Sequence, residues 1–332
     1  MIRNFKIYLW LLVLTGVGLN GSAEDLKPGE YLPGAVLKAA GGCPVPSQEQ
    51  IRAFWKRTLT GLSRVPVAAQ VKKLKDSLPY QVFAITVQSL DRIRIAGYLS
   101  VPRQQSAKHA GFPVIVSASG YSGDQGVQLK ECLRGYAILQ VYPRGQGPSE
   151  KYWKPDGDKL STHLNTPDEA YYRGGYADVI RMIDYVVSRP DIDSSHIAMV
   201  SSSQGGGIAL AVAALDHRIK AVVAHVPFLC NFRMAAAMPS LVKALLDRSH
   251  NNNERSLATL DYFDPLQLAD RIQIPVLMSA GGEDKTCPMA TIQSVYDRIR
   301  SRKELKIYPG LKHEPSRDFY ERWWPWLKSN FV

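Results

Sequence analysis

Cysteine is scarce in this chain: Cys43, Cys132, Cys230 and Cys287 are the only four among 332 residues, and none stands in C-x-x-C spacing. So low a density excludes a disulfide scaffold and a structural zinc site. Cationic runs are missing as well. Lys and Arg number 41 against 30 Asp and Glu, a formal charge of +11, yet they are scattered and never form a block of five or six, so nucleic acid is not an expected partner. The net charge is accounted for by solubility, attraction to an acidic polymer being the alternative. No apolar run reaches the ~20 residues of a membrane-spanning helix, and there is no internal repeat or low-complexity tract. What is present is a globular composition, 45% apolar and 21% charged, sized for one large domain or two small ones.

The N-terminus reads as an address. Arg3 and Lys6 precede the apolar stretch 7–19, and Gly21-Ser22-Ala23 supply small residues before Glu24-Asp25. This three-part layout predicts a secretory signal peptide over 1–23, cleaved after Ala23, with an uncleaved anchor as the alternative. The mature chain is then expected in a periplasm or outside the cell, without stable membrane association. No cysteine stands at the cleavage site, which closes the lipoprotein route. Export permits disulfides without requiring them. Cys230 and Cys287 lie in contexts that suit a small buried thiol, whereas Cys43 is the freest to pair.

Residues 24–50 read as a loop-rich extension and 51–332 as the folded domain. There, short β-branched runs alternate with helical patterns, which predicts an α/β architecture: a mostly parallel twisted sheet with helices on both faces. Strands are expected over 82–89, 93–101, 114–119, 137–142, 197–201, 221–226, 276–280 and 305–308. The first two, joined by Leu90-Asp91-Arg92, read as an antiparallel hairpin. Helices are expected over 51–62 and over 177–188, the latter ended by Arg189-Pro190. From 228 to 265 the strand pattern lapses into helix-prone residues around Asn251-Asn252-Asn253, the place for a small helical cap inserted over the sheet. Trp323, Trp324 and Trp326 read as the core-facing stripe of a last helix, interrupted by Pro325.

The chemistry concentrates at Ser201-Ser202-Ser203-Gln204-Gly205-Gly206-Gly207, between an expected strand and an expected helix over 208–215. A strand turning sharply into a helix holds a serine in a strained, exposed position when the residues two before and two after it are small. Ser203, flanked by Ser201 and Gly205, is the only one of the three serines that meets this condition. Such a nucleophile needs a base and an orienting acid on later loops, in the order Ser, Asp/Glu, His. Of the seven histidines only His313 follows the last expected strand, and the rest read as surface or core residues. The turn after 276–280 offers two carboxylates, Glu283 and Asp284, and the spacing alone barely separates them.

These residues carry a resemblance. From about Phe54 to the C-terminus the chain resembles the acetyl xylan esterase / cephalosporin C deacetylase family of α/β-hydrolases. The matching pieces are Gly120-Tyr121-Ser122-Gly123, Arg144-Gly145-Gln146-Gly147, Tyr171-Tyr172-Arg173-Gly174 with Tyr176 and Asp178, Ser203 to Gly207, Val226-Pro227-Phe228-Leu229-Cys230, Tyr262-Phe263-Asp264-Pro265, and Asp284 with Cys287-Pro288. The resemblance implies the α/β-hydrolase fold, Ser203 as nucleophile, Asp284 rather than Glu283 as acid, and His313 as base. It also implies an oxyanion hole from the backbone N–H groups of Tyr121 and Gln204, and it admits a homo-oligomer, since members of the family often form rings. The implied activity is removal of O-acetyl groups from carbohydrate through an acetyl-serine, with no metal or organic cofactor. The alternatives are a general small-acyl esterase, a hydrolase of peptidase or dienelactone type, and a non-catalytic carbohydrate-binding homologue. Phe228 is the expected wall of a small acyl pocket, and Trp153 with Tyr152 the aromatic face for a sugar ring. Arg144 and Arg173 are expected to tie loops together. Three positions depart from the family pattern: Ser119 for His, Tyr142 for Asp, and Ser201 for Gly.

Overall fold

The computed structural model describes residues 44–77, 79–103, 111–123 and 126–331. The expected signal peptide, most of the 24–50 extension and Cys43 lie outside them. The first described element, helix α1 (Gln48–Ser63), starts earlier than its apolar pattern indicates because Ser47 and Gln50 form a reciprocal capping box, which satisfies two N–H groups that the first turn leaves open. Its inner face carries Phe54 and Trp55. The Trp55 ring stacks on Tyr176 at 5.6 Å, and its Nε1–H donates to the Tyr262 carbonyl at 2.8 Å.

The strands are β1 (Gln70–Ser77), β2 (Tyr80–Gln88), β3 (Arg94–Pro102), β4 (Phe112–Ala118), β5 (Ala137–Tyr142), β6 (Ile192–Ser202), β7 (Ile219–His225), β8 (Val276–Gly281) and β9 (Lys303–Tyr308). They form one nine-stranded sheet in the order β1-β2-β3-β5-β4-β6-β7-β8-β9. From β5 through β9 every neighbouring pair is parallel, and β1, β2 and β3 join antiparallel at one end. The α/β reading and the 82–101 hairpin therefore hold. Strand β1 goes beyond the sequence reading. Its Val71 and Leu74 are exposed, so no buried face imposes the alternation by which a strand is recognised, and Lys72, Lys73 and Lys75 give it the charge that discourages an open edge from pairing with another chain.

Period-two alternation divides the sheet's core residues between its faces. Val114, Val116, Met199, Val222, Ala224, Val276 and Met278 belong to the larger cluster, with residues of α2 (Tyr171–Val187), α3 (Gln204–Leu215) and α8 (Met289–Arg298). Ile115, Ala198, Val223 and Leu277 meet Trp323, Trp324, Trp326 and Leu327 of α9 (Arg317–Asn330) in a second cluster. Helix α9 runs through Pro325 without a break, with Trp323, Trp324 and Trp326 buried on its inner face. Pro325 is exposed, as is Glu321, whose carbonyl loses its N–H partner there, so the missing bond falls on the solvent side of the helix. Helix α2 also starts six residues before its aliphatic pattern does, because Tyr171, Tyr172, Gly174 and Tyr176 are buried and packing outweighs their modest helix propensity.

Between β7 and β8 lie the short helices α4 (Phe232–Ala237), α5 (Leu241–Arg248), α6 (Glu254–Leu260) and α7 (Pro265–Leu268). Side chains of Asn231, Ser240, Asn253 and Asp264 cap their first turns. No described helix is long and apolar enough to cross a membrane.

Candidate active site

Parallel strands end at a common edge, and loops leaving that edge are the natural place for a site in an open α/β sheet. Strands β4, β6, β8 and β9 are mutually parallel. Tyr121 follows the first, Ser203 the second, Asp284 the third and His313 the fourth. Residues far apart in the chain are thus delivered to one edge by topology alone.

Ser203 occupies the turn between β6 and α3 at φ 54°, ψ −127°, a conformation that costs a residue with a side chain on the order of 1–3 kcal/mol. The surroundings impose it. Ser203 N–H donates to the His225 carbonyl at 2.9 Å, and the Ser203 carbonyl accepts from Phe228 N–H at 2.9 Å and Gly207 N–H at 3.1 Å. A Cβ at Gly205 would collide with the Ala118 carbonyl, and one at Gly207 with that of Phe228. Ser201, the departure two residues before, is accommodated because its Oγ accepts from Ala118 N–H at 3.0 Å. A hydroxyl here ties the turn to β4, which a glycine could not do.

Asp284, His313 and Ser203 stand in one hydrogen-bonded line. The Asp284 side chain is fully buried; its Oδ1 accepts from the N–H groups of Thr286 and Cys287, both at 2.8 Å, and its Oδ2 lies 2.8 Å from His313 Nδ1. An ionised carboxylate only accepts, so Nδ1 carries the proton and donates. That leaves Nε2, 2.9 Å from Ser203 Oγ, as the acceptor for the serine hydroxyl. Glu283, the competing carboxylate, is exposed and takes no part in the line. Among the described residues, the His/Cys/Asp group compact enough to hold a metal ion is Asp284, Cys287 and His313, with donor atoms within 4.8 Å of one another. It shares two members with the line itself. The thiols of Cys230 and Cys287 are free and buried, and burial pushes both well above the usual thiol range.

The Tyr121 and Gln204 N–H groups flank the same turn, and neither donates to an acceptor among the described residues. The Gln204 side chain is wholly buried; its amide donates to the Ser119 carbonyl at 3.2 Å and to Gln146 Oε1 at 3.0 Å, and accepts from the Tyr172 hydroxyl at 3.1 Å. Ser119, another departure, donates to Gln146 Oε1 at 3.1 Å. At the third, the Tyr142 carbonyl accepts from Ser149 Oγ at 2.6 Å, and that oxygen accepts from Ala96 N–H. At 201 and 119 the departing side chain thus has a hydrogen bond, whereas at 142 the bond is the backbone's and the Tyr142 ring packs edge-on to Tyr98 at 5.9 Å.

Phe228 is buried beside the turn, edge-on to the Tyr121 ring at 5.8 Å. Trp153 is taken up in packing: it lies tilted on Tyr171 at 6.2 Å and abuts Gly145. Arg144 is buried and grips Asp178 through Nε at 3.0 Å and Nη2 at 2.8 Å, while Arg173 reaches Asp91 at 3.2 Å, so both act as loop ties. Two residues near the site escaped sequence reasoning. Asp158 accepts from the Tyr121 hydroxyl at 2.6 Å, and the phenol, under burial and beside that carboxylate, is held far above its ordinary range. His225, set aside as surface or core, is buried directly beneath the nucleophile turn.

The family model described as acetyl xylan esterase (AXE1) matches residues 43–330. Acetyl esterase Axe7A of Xylanibacter ruminicola is 27% identical over 299 residues, covering 83% of this chain and 66% of that protein. The chain spans only 35% and 36% of two further curated relatives. Among solved structures, the acetyl xylan esterase from Paenibacillus sp. R4 superposes with a TM-score of 0.78 at 29% identity, over 87% of this chain and 97% of that one. Acetyl xylan esterase 1 from Thermoanaerobacterium sp. JW/SL YS485 gives 0.77 at 25% identity, over 88% and 96%. The match runs through the strand-end loops described above, and the chain belongs to the acetyl xylan esterase family, carboxylic ester hydrolases built on the α/β-hydrolase fold.

Proposed function

We propose that the chain is a secreted serine carboxylesterase that removes O-acetyl groups from carbohydrate, acetylated xylan or xylo-oligosaccharides, through an acetyl-serine intermediate. The observation that carries the reading is the hydrogen-bonded line from Ser203 through His313 to Asp284 on a strained strand-to-helix turn. Ser203 Oγ attacks the acetyl carbonyl as His313 Nε2 takes its proton, and Asp284 stabilises the imidazolium so formed. The negative oxygen accepts from the N–H groups of Tyr121 and Gln204, the second at the N-terminus of α3. His313 returns the proton to the departing sugar oxygen. Water, deprotonated by His313, then attacks the acetyl-serine, and acetate leaves as Ser203 is restored. Phe228 bounds the acyl pocket and favours acetyl over longer chains. Trp153, half-buried, and Tyr152, exposed, offer the aromatic face for a sugar ring.

The substrate class is supported by the two structural relatives at 25–29% identity, both acetyl xylan esterases. Acetate release by purified residues 24–332, beside Ser203→Ala, tests the reading on p-nitrophenyl acetate and on acetylated xylo-oligosaccharides. We expect release from both, abolished by the substitution. Release from the nitrophenyl ester alone moves the substrate elsewhere, and release that survives Ser203→Ala removes the serine mechanism. Export is tested by sequencing the N-terminus of the protein recovered outside the cytoplasm. Glu24 as first residue is the expected result, and an intact Met1 in the membrane fraction overturns it.

A further inference from the structure

His225 is the last residue of β7, buried, with its ring stacked on Phe319 at 4.9 Å and 21°. Both ring nitrogens are engaged: Nδ1 lies 2.5 Å from Ser279 Oγ, and Nε2 lies 3.2 Å from the carbonyl of Glu314. The protonation pattern follows from the neighbours. Ser279 Oγ accepts from Val226 N–H at 3.1 Å, so its own proton is free to go to His225 Nδ1. A carbonyl only accepts, so Nε2 carries the hydrogen. The imidazole is therefore the neutral Nε2–H tautomer, and burial, which depresses its pKa to about 4, keeps it neutral. Glu314 directly follows His313. On the other side, the His225 carbonyl accepts from Ser203 N–H.

We propose that His225 is a positioning residue for the reaction: its backbone fixes the nucleophile turn and its imidazole fixes the loop of the base, so that Ser203 and His313 are held on one support. Strand β7 thereby sets the Oγ–Nε2 separation that proton transfer depends on. Ser279, on the adjacent β8, fixes the tautomer. The inference rests on the ester-hydrolysis reading above, but the geometry it predicts is observable without turnover.

The test compares His225→Phe, which keeps the stacking on Phe319 and loses both hydrogen bonds, with His225→Gln, whose amide offers one acceptor and one donor. Melting temperatures, p-nitrophenyl acetate kinetics and ¹⁵N-histidine NMR are recorded for each. We expect His225→Phe to lower kcat about 10- to 100-fold with KM nearly unchanged, the scale of a small misplacement of reacting groups. His225→Gln should recover most of that loss and restore the low-field His313 Nδ1–H resonance that the Phe variant shifts. A folded Phe variant with wild-type kcat and an unmoved His313 resonance overturns the proposal, as do Phe and Gln variants equally impaired at equal melting temperatures. Should the Phe variant not fold, Ser279→Ala decides: a mixed His225 tautomer with reduced kcat supports the role, and an unchanged tautomer and rate overturn it. An inactive wild type in which His313 still responds to residue 225 would defeat the esterase reading and leave the positioning role standing.

Discussion

The Tyr121 hydroxyl donates to Asp158 Oδ2 at 2.6 Å, which joins the loop after β4 to the long connection between β5 and α2. Asp158 is itself anchored: its Oδ1 accepts from Leu160 N–H, Ser161 N–H and Ser161 Oγ. Lys159 lies over the Tyr121 ring at 4.3 Å. Tyr121 is thus clamped by its side chain, and its N–H is the donor that the proposed mechanism assigns to the oxyanion. Tyr121→Phe should cost about 1.5–3 kcal/mol, the range for a hydrogen bond to a charged group. It should also lower kcat about tenfold or more as the donor loosens. Thermal unfolding and p-nitrophenyl acetate kinetics check both, and an unchanged kcat would separate this loop from oxyanion stabilisation.

Asp284→Asn should leave the fold in place, since the side-chain carbonyl still accepts from Thr286 and Cys287, and present an NH₂ to His313 Nδ1. Nδ1 then has to accept, which moves the imidazole proton to Nε2 and removes the base. A loss of about 10⁴ in kcat is expected from an inverted tautomer, with a melting temperature close to wild type. Retention of a tenth of the activity would show that Asp284 does not set the tautomer.

Gly207→Ala places a methyl group against the Phe228 carbonyl, and backbone there is itself held by Ser203. Overpacking of this kind costs about 1–3 kcal/mol. Gly206→Ala meets Pro227 at 3.2 Å and should be milder. Urea midpoints of the two variants give the order, and Gly206→Ala being the more damaging would contradict the packing described.

The depressed pKa of His225 makes a pH prediction. Above about pH 6.5 the residue is neutral in both folded and unfolded chains and contributes no pH dependence. Between 6.5 and its folded value of about 4, the unfolded chain binds the proton and the folded one does not, so stability falls as the pH is lowered. The loss is complete below about 4 and amounts to about 3 kcal/mol. Other groups titrate in this window, so the comparison is with His225→Gln. The difference between wild type and variant in unfolding free energy should shift by about that amount between pH 7 and pH 4, and parallel curves would place the imidazole in water.

Where a residue faces determined how far the sequence could be read. Strands β4 to β8 are buried on both sides and announce themselves by β-branched runs, and Ser203 was found because a sharp turn demands small residues at 201 and 205. The acid was different: the spacing barely separates the adjacent Glu283 and Asp284 and the resemblance alone selects Asp284, for which the fold gives the physical reason, one being buried on the His313 side and the other exposed. Strand β1 was illegible for want of a buried face. His225 and Asp158 were illegible because their partners, Ser279, Glu314 and Tyr121, lie tens of residues away and no local pattern records such distances.

Strands β7 and β8 pair over three residues only, Val222 to Ala224 with Val276 to Met278, and everything from Val226 to Pro275 is an excursion between two anchored ends. Its helices carry their own caps, while Ser203, Asp284 and His313 all sit outside it. The excursion is in effect an exchangeable cassette. Swapping the part of it beyond Cys230 for the equivalent stretch of a relative keeps Phe228 N–H on the Ser203 carbonyl and Val226 N–H on Ser279. It should redraw the substrate range while leaving those supports of the nucleophile turn in place, so selectivity and chemistry in this enzyme family are free to evolve at different rates.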